Sequence, residues 1–350
     1  MKFLKFTVKI ILVLAVLFIA FLVFATLADY KPAKEELIYE SSNPDSIIKG
    51  TLFNLMSWNI GYCGLSADMD FFYDGGTMVR TTKDNVLNNL THNLAFIQEN
   101  DSLDFILFQE VDQYSKRSYY CNQVDSIRKR LTSHHHFFAK NYDVMFVPIP
   151  PKSPLGRVKS GLNSYSAINP LSVTRFSFPG SFDWPVNIFN LDRCFLVMRF
   201  PIANGKELLV INTHNSAYDD GSLKKQEMDY LKTFLLDEYA KGNYIIVGGD
   251  WNQNPPEMDQ KIMAKKATVK RFVLNPIASD YLPSDWTWAF DSDVPSNRYL
   301  DKPYNKEKST KVTIDFFLLS PNIEKIACNV IDRDFKYSDH QPVICVVKLK

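Results

Sequence analysis

The sequence predicts an α/β domain that follows one N-terminal apolar helix, and two observations carry this prediction. From Leu52 onward the 350-residue chain alternates short apolar runs with segments of helical periodicity, an alternation that is typical of α/β folds. Its composition, 46% hydrophobic and 23% charged, is that of a globular protein with a large core. We find no internal repeat and no low-complexity block after residue 51.

Buried strands are predicted where apolar runs of six to eight residues are bounded by polar or turn-forming residues. These runs are Phe53–Trp58, Asp104–Gln109, Glu207–Thr213, Tyr244–Gly249, Val312–Leu319 and Pro342–Leu349. Residues 152–190 are rich in Ser, Pro, Gly and Asn instead, which predicts a region of loops.

Amphipathic helices are predicted between some of these strands. Val86, Leu90 and Ile97 recur at helical spacing, and so do Leu231 and Leu235, which precede a glycine that is a suitable C-terminal stop. The order of strand, helix and strand supports the α/β class.

The N-terminal segment differs from the rest of the chain. Three lysines precede an almost purely apolar stretch, Ile10–Leu27, whose eighteen residues at a rise of ~1.5 Å nearly span a bilayer core of about 30 Å. The lysines should keep the N-terminus in the cytoplasm. The alternative is a signal peptide cut after Ala28, although the apolar region of a signal peptide is usually shorter.

We expect residues 1–28 to be a membrane anchor or signal peptide, residues 29–50 a tether and residues 51–350 the functional domain. That domain would lie outside the cytoplasm, anchored to the membrane, or secreted if the segment is cleaved.

Charge and cysteine content exclude some classes of protein. The formal net charge is +1, and about −2 without the three N-terminal lysines, so no global basic field for nucleic acid is present. The basic clusters Arg128–Arg130 and Lys265–Lys266 are typical of solvated helix faces. Five cysteines show no zinc-finger spacing and permit at most two internal disulfides.

Polar side chains recur where the predicted strands start or stop. They are Asn59, Glu110, His214, Asp250, Asn252, Asp315, Asp339 and His340. Strands that share sheets bring such residues to one edge, where α/β folds usually bind ligands. Carboxylate and amide oxygens suit Mg²⁺ or Mn²⁺, whereas zinc prefers more His or Cys ligands. The sequence contains no GxxxxGK[ST], GxGxxG or GxSxG motif.

The motifs SWNIG, LFQEVD, NTHN, GGDWNQNP, IDFFLLS and SDHQPV resemble, in this order, those of the endonuclease/exonuclease/phosphatase superfamily. The resemblance covers roughly Leu52 to Val347, and a set of six motifs in order is far more specific than any one of them. It implies a four-layer αββα sandwich, in which two mixed β-sheets lie face to face with helices outside.

The resemblance also implies the metal ligands. Glu110 matches the principal Mg²⁺ ligand of the family's QE motif, and Asn59 matches the asparagine beside the same metal and the phosphate. Asp339 matches the metal-side aspartate of the SDH motif.

The remaining motif residues match catalytic positions of the family. Asp250 and Asn252 match the pair that orients the attacking water and the phosphate. His340 matches the histidine that contacts the scissile phosphate, and Asp315 matches the acid that pairs with this histidine. His214 matches the histidine of the deoxyribonuclease and sphingomyelinase branches. Arg157, Asn163 and Arg193 are further candidates for contact with a substrate phosphate.

We therefore expect a Mg²⁺-dependent hydrolase, with Mn²⁺ as a possible substitute, that cleaves a phosphoester and most readily a phosphodiester. The substrate would be a lipid headgroup or a nucleic acid, the membrane would be contacted through the N-terminal helix, and no protein partner is evident. Two alternatives stay open: a nuclease acting on DNA or RNA, and a catalytically inactive binding protein on the same scaffold.

Overall fold

Two β-sheets lie face to face in the computed structural model, which describes residues 2–256, 258 and 276–350. The basic cluster Lys265–Lys266 lies outside the described residues. In chain order, the described helices and strands are α1 (Lys2–Leu27), β1 (Glu35–Glu40), β2 (Leu52–Asn59), α2 (Lys83–Glu99), β3 (Phe105–Asp112), α3 (Gln123–Arg128), β4 (His135–Val147), β5 (Gly156–Ser166), β6 (Ser172–Ser177), β7 (Cys194–Pro201), β8 (Glu207–His214), α4 (Ser222–Ala240), β9 (Tyr244–Asp250), β10 (Thr287–Ala289), β11 (Asn297–Arg298), β12 (Lys311–Val312), β13 (Asp315–Leu319), β14 (Ile323–Val330) and β15 (Val343–Leu349).

Both large sheets are mixed. One has seven strands in the order β1-β6-β7-β8-β9-β13-β10, and the other has six in the order β14-β15-β2-β3-β5-β4. Strands β8 and β9 pair in parallel, as do β2 and β3, while the other neighbours in these two sheets are antiparallel. Each sheet thus carries one parallel pair, whose strands end at the same edge.

Three hydrophobic clusters define four layers. The cluster between the sheets includes Leu107 of the six-stranded sheet and Val210 of the seven-stranded sheet. Helix α4 packs Leu231 on the outer face of the seven-stranded sheet, and helices α2 and α3 pack Val86 and Ile127 on the outer face of the other sheet. The αββα sandwich implied by the sequence resemblance is therefore confirmed. All five cysteines are free thiols.

The predicted helices correspond to α2 and α4. Thr82 caps α2, because its side chain accepts a hydrogen bond from the backbone N–H of Asn85. Gly242 follows α4 at a φ of +87°, a conformation that glycine adopts without strain.

Five of the six predicted strands correspond to single strands, and the run Val312–Leu319 is divided. Its first part, β12, pairs with β11, whereas β13 pairs with β9 and β10. The chain changes pairing partner at Thr313 and Ile314, so a continuous apolar run does not form one continuous strand.

The prediction of loops over residues 152–190 is wrong for β5 and β6. Strand β5 lies between β3 and β4, and its buried residues include Ser160, Asn163, Ser164 and Ser166. Small polar residues are unusual in an inner strand, and they give this segment the composition of a loop.

The segment expected to be a tether, residues 29–50, is only partly a connection. Glu35–Glu40 pairs with β6 as an edge strand, Tyr39 packs on Phe137 with ring centroids 5.2 Å apart, and Ile47 is buried between the sheets. The alternation of polar and apolar residues in this strand is short, which explains why the sequence did not reveal it. The division into residues 1–28, 29–50 and 51–350 otherwise stays a prediction.

Helix α1 is long and apolar enough to cross a membrane, a test that a signal sequence near the N-terminus also passes. It has no fully buried residue.

A buried polar link joins the two sheets. Gln109 of β3 donates to the side-chain oxygen of Asn212 of β8 at 2.7 Å. The Asn212 amide donates in turn to the Phe108 carbonyl and to the Ser164 hydroxyl, both at 3.0 Å. Both side chains are inaccessible to solvent, so their hydrogen bonds have no competition from water.

Replacement of Asn212 by Ala should destabilise the domain by about 2–4 kcal/mol, because it opens a cavity and leaves buried polar groups unpaired. Denaturant unfolding followed by circular dichroism measures the change. Asn88→Ala, on the exposed face of α2, is the matched control and should have little effect. Equal stability of the two variants would contradict the inference.

Asp192, which precedes β7, has a carboxyl group with a raised pKa. Burial and the charge of Asp29 raise the pKa of Asp192 to about 7, although Arg175 and Lys140 act in the opposite direction. In an unfolded chain such a group ionises near pH ~3.9. Its contribution to stability is therefore complete below that pH and is lost as the pH rises through about 7.

Asp192→Asn should raise the free energy of unfolding more at pH 8 than at pH 5, since the ionised carboxylate is absent from the variant. Denaturant midpoints at the two pH values measure the difference. The exposed Asp183→Asn is the control and should show no such dependence. An equal gain for Asp192→Asn at both pH values would be inconsistent with this assignment.

Candidate active site

Strand register brings the predicted site residues together. In the seven-stranded sheet, His214 pairs with Asp250, and Asp250 pairs with Asp315. In the six-stranded sheet, Asn59 pairs with the residue that precedes Glu110. These strands end at facing edges of the two sheets, so residues far apart in sequence lie side by side.

Asn59 connects the two edges. Its amide nitrogen donates to Asp250 Oδ2 at 2.9 Å and lies 3.4 Å from Glu110 Oε1. Its side-chain oxygen accepts from the backbone N–H of Gly61 at 2.9 Å. The carboxamide thus fixes the spacing between one carboxylate of each sheet.

Glu110 has an unusual backbone conformation. Its φ is +54°, and the pairing of β3 with β5 shifts register between Phe108 and Val111. Such a bulge redirects a side chain at the end of a strand, and a positive φ in a non-glycine residue is characteristic of functional sites. The Glu110 side chain is 25% exposed and lines the main pocket.

His340 and Asp315 form a buried pair. His340 Nδ1 lies 2.8 Å from Asp315 Oδ2, which also accepts from the Ser296 hydroxyl at 2.7 Å. The His340 carbonyl accepts from Trp58 Nε1 at 3.1 Å. Burial alone would lower the pKa of His340, but the carboxylates around it, Asp315 first, raise this pKa well above the ordinary value.

Asp250 faces both imidazoles. Its Oδ2 lies 3.4 Å from His214 Nε2 and 3.7 Å from His340 Nε2. Burial raises the pKa of Asp250 to about 6, the positive charge of His340 lowers it, and the charge of Asp315 raises it. Burial and nearby cationic groups, Arg193 first, lower the pKa of His214 well below its ordinary value. The two shifts have opposite directions: that of His214 favours the neutral imidazole, and that of His340 favours the cationic form.

Asn252 is held in a left-handed conformation with a φ of +50°. Its backbone N–H donates to Asp250 Oδ1 at 3.0 Å, and its amide donates to the Asn215 carbonyl at 2.9 Å. The turn after β9 thus orients the Asp250 carboxylate and places the Asn252 side chain at the pocket wall.

The donor set fits a divalent cation. Burial and the charge of Glu110 raise the pKa of Asp339 to about 7, with His340 and Arg298 acting in the opposite direction. Within the described part of the chain, the Asp339 side chain accepts a hydrogen bond from the Ser338 hydroxyl at 3.4 Å, and its Oδ2 lies 3.8 Å from His340 Nε2. A carboxylate buried beside another carboxylate is costly unless a cation or donors compensate, and oxygen ligands of this kind suit Mg²⁺.

Within the described part of the chain, another group of side chains has its ligand atoms close enough together to hold a metal ion. Ligand atoms of Asp250, Asp315 and His340 lie within 4.8 Å of one another. The hydrogen bond between Asp315 and His340 already occupies two of these groups.

Gly61 allows the chain to pass close to this position. It has a φ of +50°, and a Cβ atom there would lie 2.6 Å from Asp339 Oδ1. A side chain at residue 61 would displace the carboxylate.

The main pocket extends beyond the predicted residues and has a volume of about 350 Å³. Its wall contains the carboxylates and histidines together with apolar residues such as Leu65, Phe71 and Leu155. Its wall also contains Arg117, Arg193 and Tyr218. Of the three additional candidates named from the sequence, Arg193 lines this pocket, whereas Arg157 pairs with Asp143.

Sequence reasoning missed several side chains at this site. Arg117 pairs with Asp112 at 2.9 Å, and its guanidinium carbon lies 3.8 Å from the Tyr62 ring centroid. Ser296 supports Asp315 from a loop. None of them belongs to a recognisable motif, because each acts through contacts distant in sequence. The third additional candidate, Asn163, contacts His136 at 2.7 Å.

Comparisons with known proteins agree with this geometry. Among solved structures, an endonuclease/exonuclease/phosphatase from Beutenbergia cavernae is 17% identical with a TM-score of 0.59, covering 85% of this chain and 72% of that one. An endonuclease/exonuclease/phosphatase from Bacteroides vulgatus is 16% identical with a TM-score of 0.54, covering 86% and 100%. D. rerio TDP2 complexed with single strand DNA product is 14% identical with a TM-score of 0.52, covering 85% and 99%. These likenesses show the fold.

A search of curated proteins found no significant match. The sequence profile of the endonuclease/exonuclease/phosphatase family, however, matches residues 56–340, most of the chain and all eight predicted site residues. The chain belongs to the endonuclease/exonuclease/phosphatase family.

Proposed function

We propose that this chain is a Mg²⁺-dependent phosphodiesterase whose catalytic domain lies outside the cytoplasm. The observation that carries the proposal is the meeting, in one pocket, of acidic and amide side chains with two buried histidines, His214 and His340. Members of this family are generally phosphoesterases or nucleases that use divalent metals, and the buried Asp339 carboxylate beside Glu110 accords with that chemistry.

Asn59, Glu110 and Asp339 would hold the cation. When bound, Mg²⁺ would act as a Lewis acid that neutralises charge on a non-bridging phosphate oxygen. All three residues are supplied by β2, β3 or the turn before β15, so they belong to the six-stranded sheet.

His340 would donate a hydrogen bond to a phosphate oxygen. Its raised pKa keeps the ring cationic at neutral pH, and Asp315 fixes the ring through Nδ1, which leaves Nε2 directed at Asp250 and Asp339. A donor that is already oriented costs little reorganisation during the reaction.

Asp250 would accept a proton from the attacking water as the water oxygen bonds to phosphorus. The ester P–O bond would break, and the released oxygen would take up a proton from solvent and leave as an alcohol. A base with a pKa of about 6 is largely ionised at pH 7 and still basic enough to assist. Asn252 and Asn59 would keep its carboxylate in place, and neutral His214 would contact the phosphate beside it.

We propose the class of substrate from helix α1, the net charge of the chain and one structural neighbour. A lipid headgroup accords with α1 and with the near-neutral charge of the chain. Nucleic acid is the second candidate, since a structural neighbour, D. rerio TDP2, was solved with a single strand DNA product. The stacked rings of Tyr73 and Tyr218, 5.3 Å apart, could contact a base at the pocket wall.

The test is hydrolysis of a panel by the full chain in detergent with Mg²⁺: bis-(p-nitrophenyl) phosphate, phosphodiester lipids, single-stranded DNA, RNA and nucleotide monoesters. Cleavage of a diester is the expected result. For a nucleic acid substrate, KM should rise steeply with salt, whereas for a lipid it should not. Mn²⁺ binding without turnover on any member would instead indicate a binding protein.

His340→Ala and Asp315→Asn should each lower kcat by roughly 10²–10⁴-fold, because the oriented donor is lost or its charge is no longer supported. Initial rates on the best substrate measure the effect, and thermal unfolding checks that each variant folds. His135→Ala, on an exposed position of β4, is the control. Rates within twofold of the control for both variants would exclude the assigned roles.

Removal of divalent ions with EDTA should abolish activity, and Mg²⁺ or Mn²⁺ should restore it. Glu110→Gln should raise the Mg²⁺ concentration for half-maximal activity by roughly tenfold or more. Mg²⁺ should also raise the Tm of the wild-type chain but not that of this variant, since a ligand stabilises the state that binds it.

The exposed Glu324→Gln on β14 is the matched control and should behave as wild type. Full activity in EDTA, or an unchanged Mg²⁺ requirement in Glu110→Gln, would argue against a cation at this position.

A further inference from the structure

Five apolar side chains form an exposed group on one side of the catalytic domain, which we call the apolar collar. They are Met145, Phe146, Ile149, Trp184 and Val186, with exposed fractions of 52%, 42%, 46%, 59% and 51%. Single exposed apolar residues are common, but a contiguous group marks a surface that contacts something other than water.

Three members of the collar, Met145, Phe146 and Trp184, lie against the C-terminal part of α1. The ring of Phe21 contacts Phe146 edge to face, with centroids 6.3 Å apart, and stacks on Phe189 at 5.9 Å. Trp184 Nε1 donates to the Thr26 hydroxyl at 3.1 Å. A cleft between the helix and the domain is also lined by Met145. Among the described residues, these contacts between the domain and α1 lie near the C-terminal end of the helix, and most of the rest of α1 is exposed.

The position of Phe21 along α1 indicates how deeply the collar would lie in a bilayer. If the apolar stretch Ile10–Leu27 fills a bilayer core, Phe21 lies six residues, about 9 Å, inside the boundary. Phe146 and Phe189, which contact it, then lie among the lipid chains or headgroups. A domain held in this geometry cannot keep its collar in bulk water.

The local backbone presents these residues outward. Met145 and Phe146 lie at a register shift of β4, an edge strand of the six-stranded sheet, between Val144 and Val147. An exposed apolar bulge at a sheet edge is a site of unwanted association in a soluble protein. Aromatic residues, Trp above all, are favoured at the boundary between lipid and water.

The collar is continuous with the mouth of the main pocket. Ile149 and Val186 belong to the collar and also line the pocket that holds Glu110 and His214. A surface in contact with lipid on this side would place the mouth of the pocket at the headgroups.

We propose that the apolar collar is a bilayer-docking surface that seats the catalytic domain on the lipid from which α1 emerges. The charged residues closest to the collar in sequence are Asp143, Lys152 and Asp183, and Asp143 is paired with Lys140 and Arg157. These neighbours carry both signs, so docking depends on apolar contact and needs no anionic lipid. The inference concerns the surface alone and does not depend on the proposed catalytic activity.

Tryptophan fluorescence of the full chain in phosphatidylcholine nanodiscs tests the proposal. Trp184 is the exposed tryptophan of the described chain, while Trp58, Trp251, Trp286 and Trp288 are buried or half-buried in the domain. Phosphatidylcholine brominated on its acyl chains should quench wild-type fluorescence, and Trp184→Phe should lose most of that quenching. Adding Phe146→Trp to Trp184→Phe should restore it.

The matched control adds Ile326→Trp to Trp184→Phe. Ile326 is also 50% exposed but lies on β14, at the opposite edge of the sheet from β4, five strand spacings or about 24 Å away. This tryptophan should be quenched by aqueous iodide and not by brominated lipid.

Three results would overturn the proposal. Quenching by brominated lipid that does not change in Trp184→Phe would place Trp184 outside the bilayer. Strong quenching of Trp184 by iodide would place the collar in water. Protection of Trp184 from both quenchers would mean that protein, such as a second copy of the chain, covers it.

Discussion

The carboxamide of Asn59 is the contact on which the arrangement of the site depends. It lies between Asp250 of one sheet and Glu110 of the other, and its own oxygen is fixed by the Gly61 backbone. Two sheets packed face to face can slide relative to each other, since apolar contacts between them have little direction. A hydrogen bond to a carboxylate of each sheet, above the buried contact of Gln109 with Asn212, specifies one alignment.

The same alignment of the two sheets explains why the pKa values of the site residues are shifted. Acidic side chains from both sheets are crowded into a space with little solvent, which is unfavourable unless positive charge joins them. His340 supplies part of that charge, and its pKa rises because carboxylates surround it. Burial and then the neighbouring carboxylates raise the pKa values of Asp250 and Asp339, and this crowding of buried acids is the physical reason to expect a cation.

Much of the fold was accessible from sequence because apolar runs and helical periodicity report burial directly. The runs that became β2, β3, β8, β9 and β15 are buried on one or both faces. Strand β5 was not accessible, since its buried serines and Asn163 have the composition of a loop.

The site residues could be named from sequence because each stands at the end of an apolar run within a motif. The arrangement of these residues in space could not be predicted in the same way. The φ of Glu110, the support of Asp315 by Ser296 and the position of Arg117 arise from contacts between distant segments. The metal and catalytic roles of these residues stay predictions.

Strand β1 has a consequence for how the domain would encounter its substrate. Only residues 28–34 separate the end of α1 from this strand, and seven extended residues reach at most about 25 Å. With α1 in a membrane, the catalytic domain could neither tumble freely nor sample distant solution. Its encounters would be governed by diffusion of substrate in or near a thin layer, and the relevant concentration would be a number of molecules per unit area.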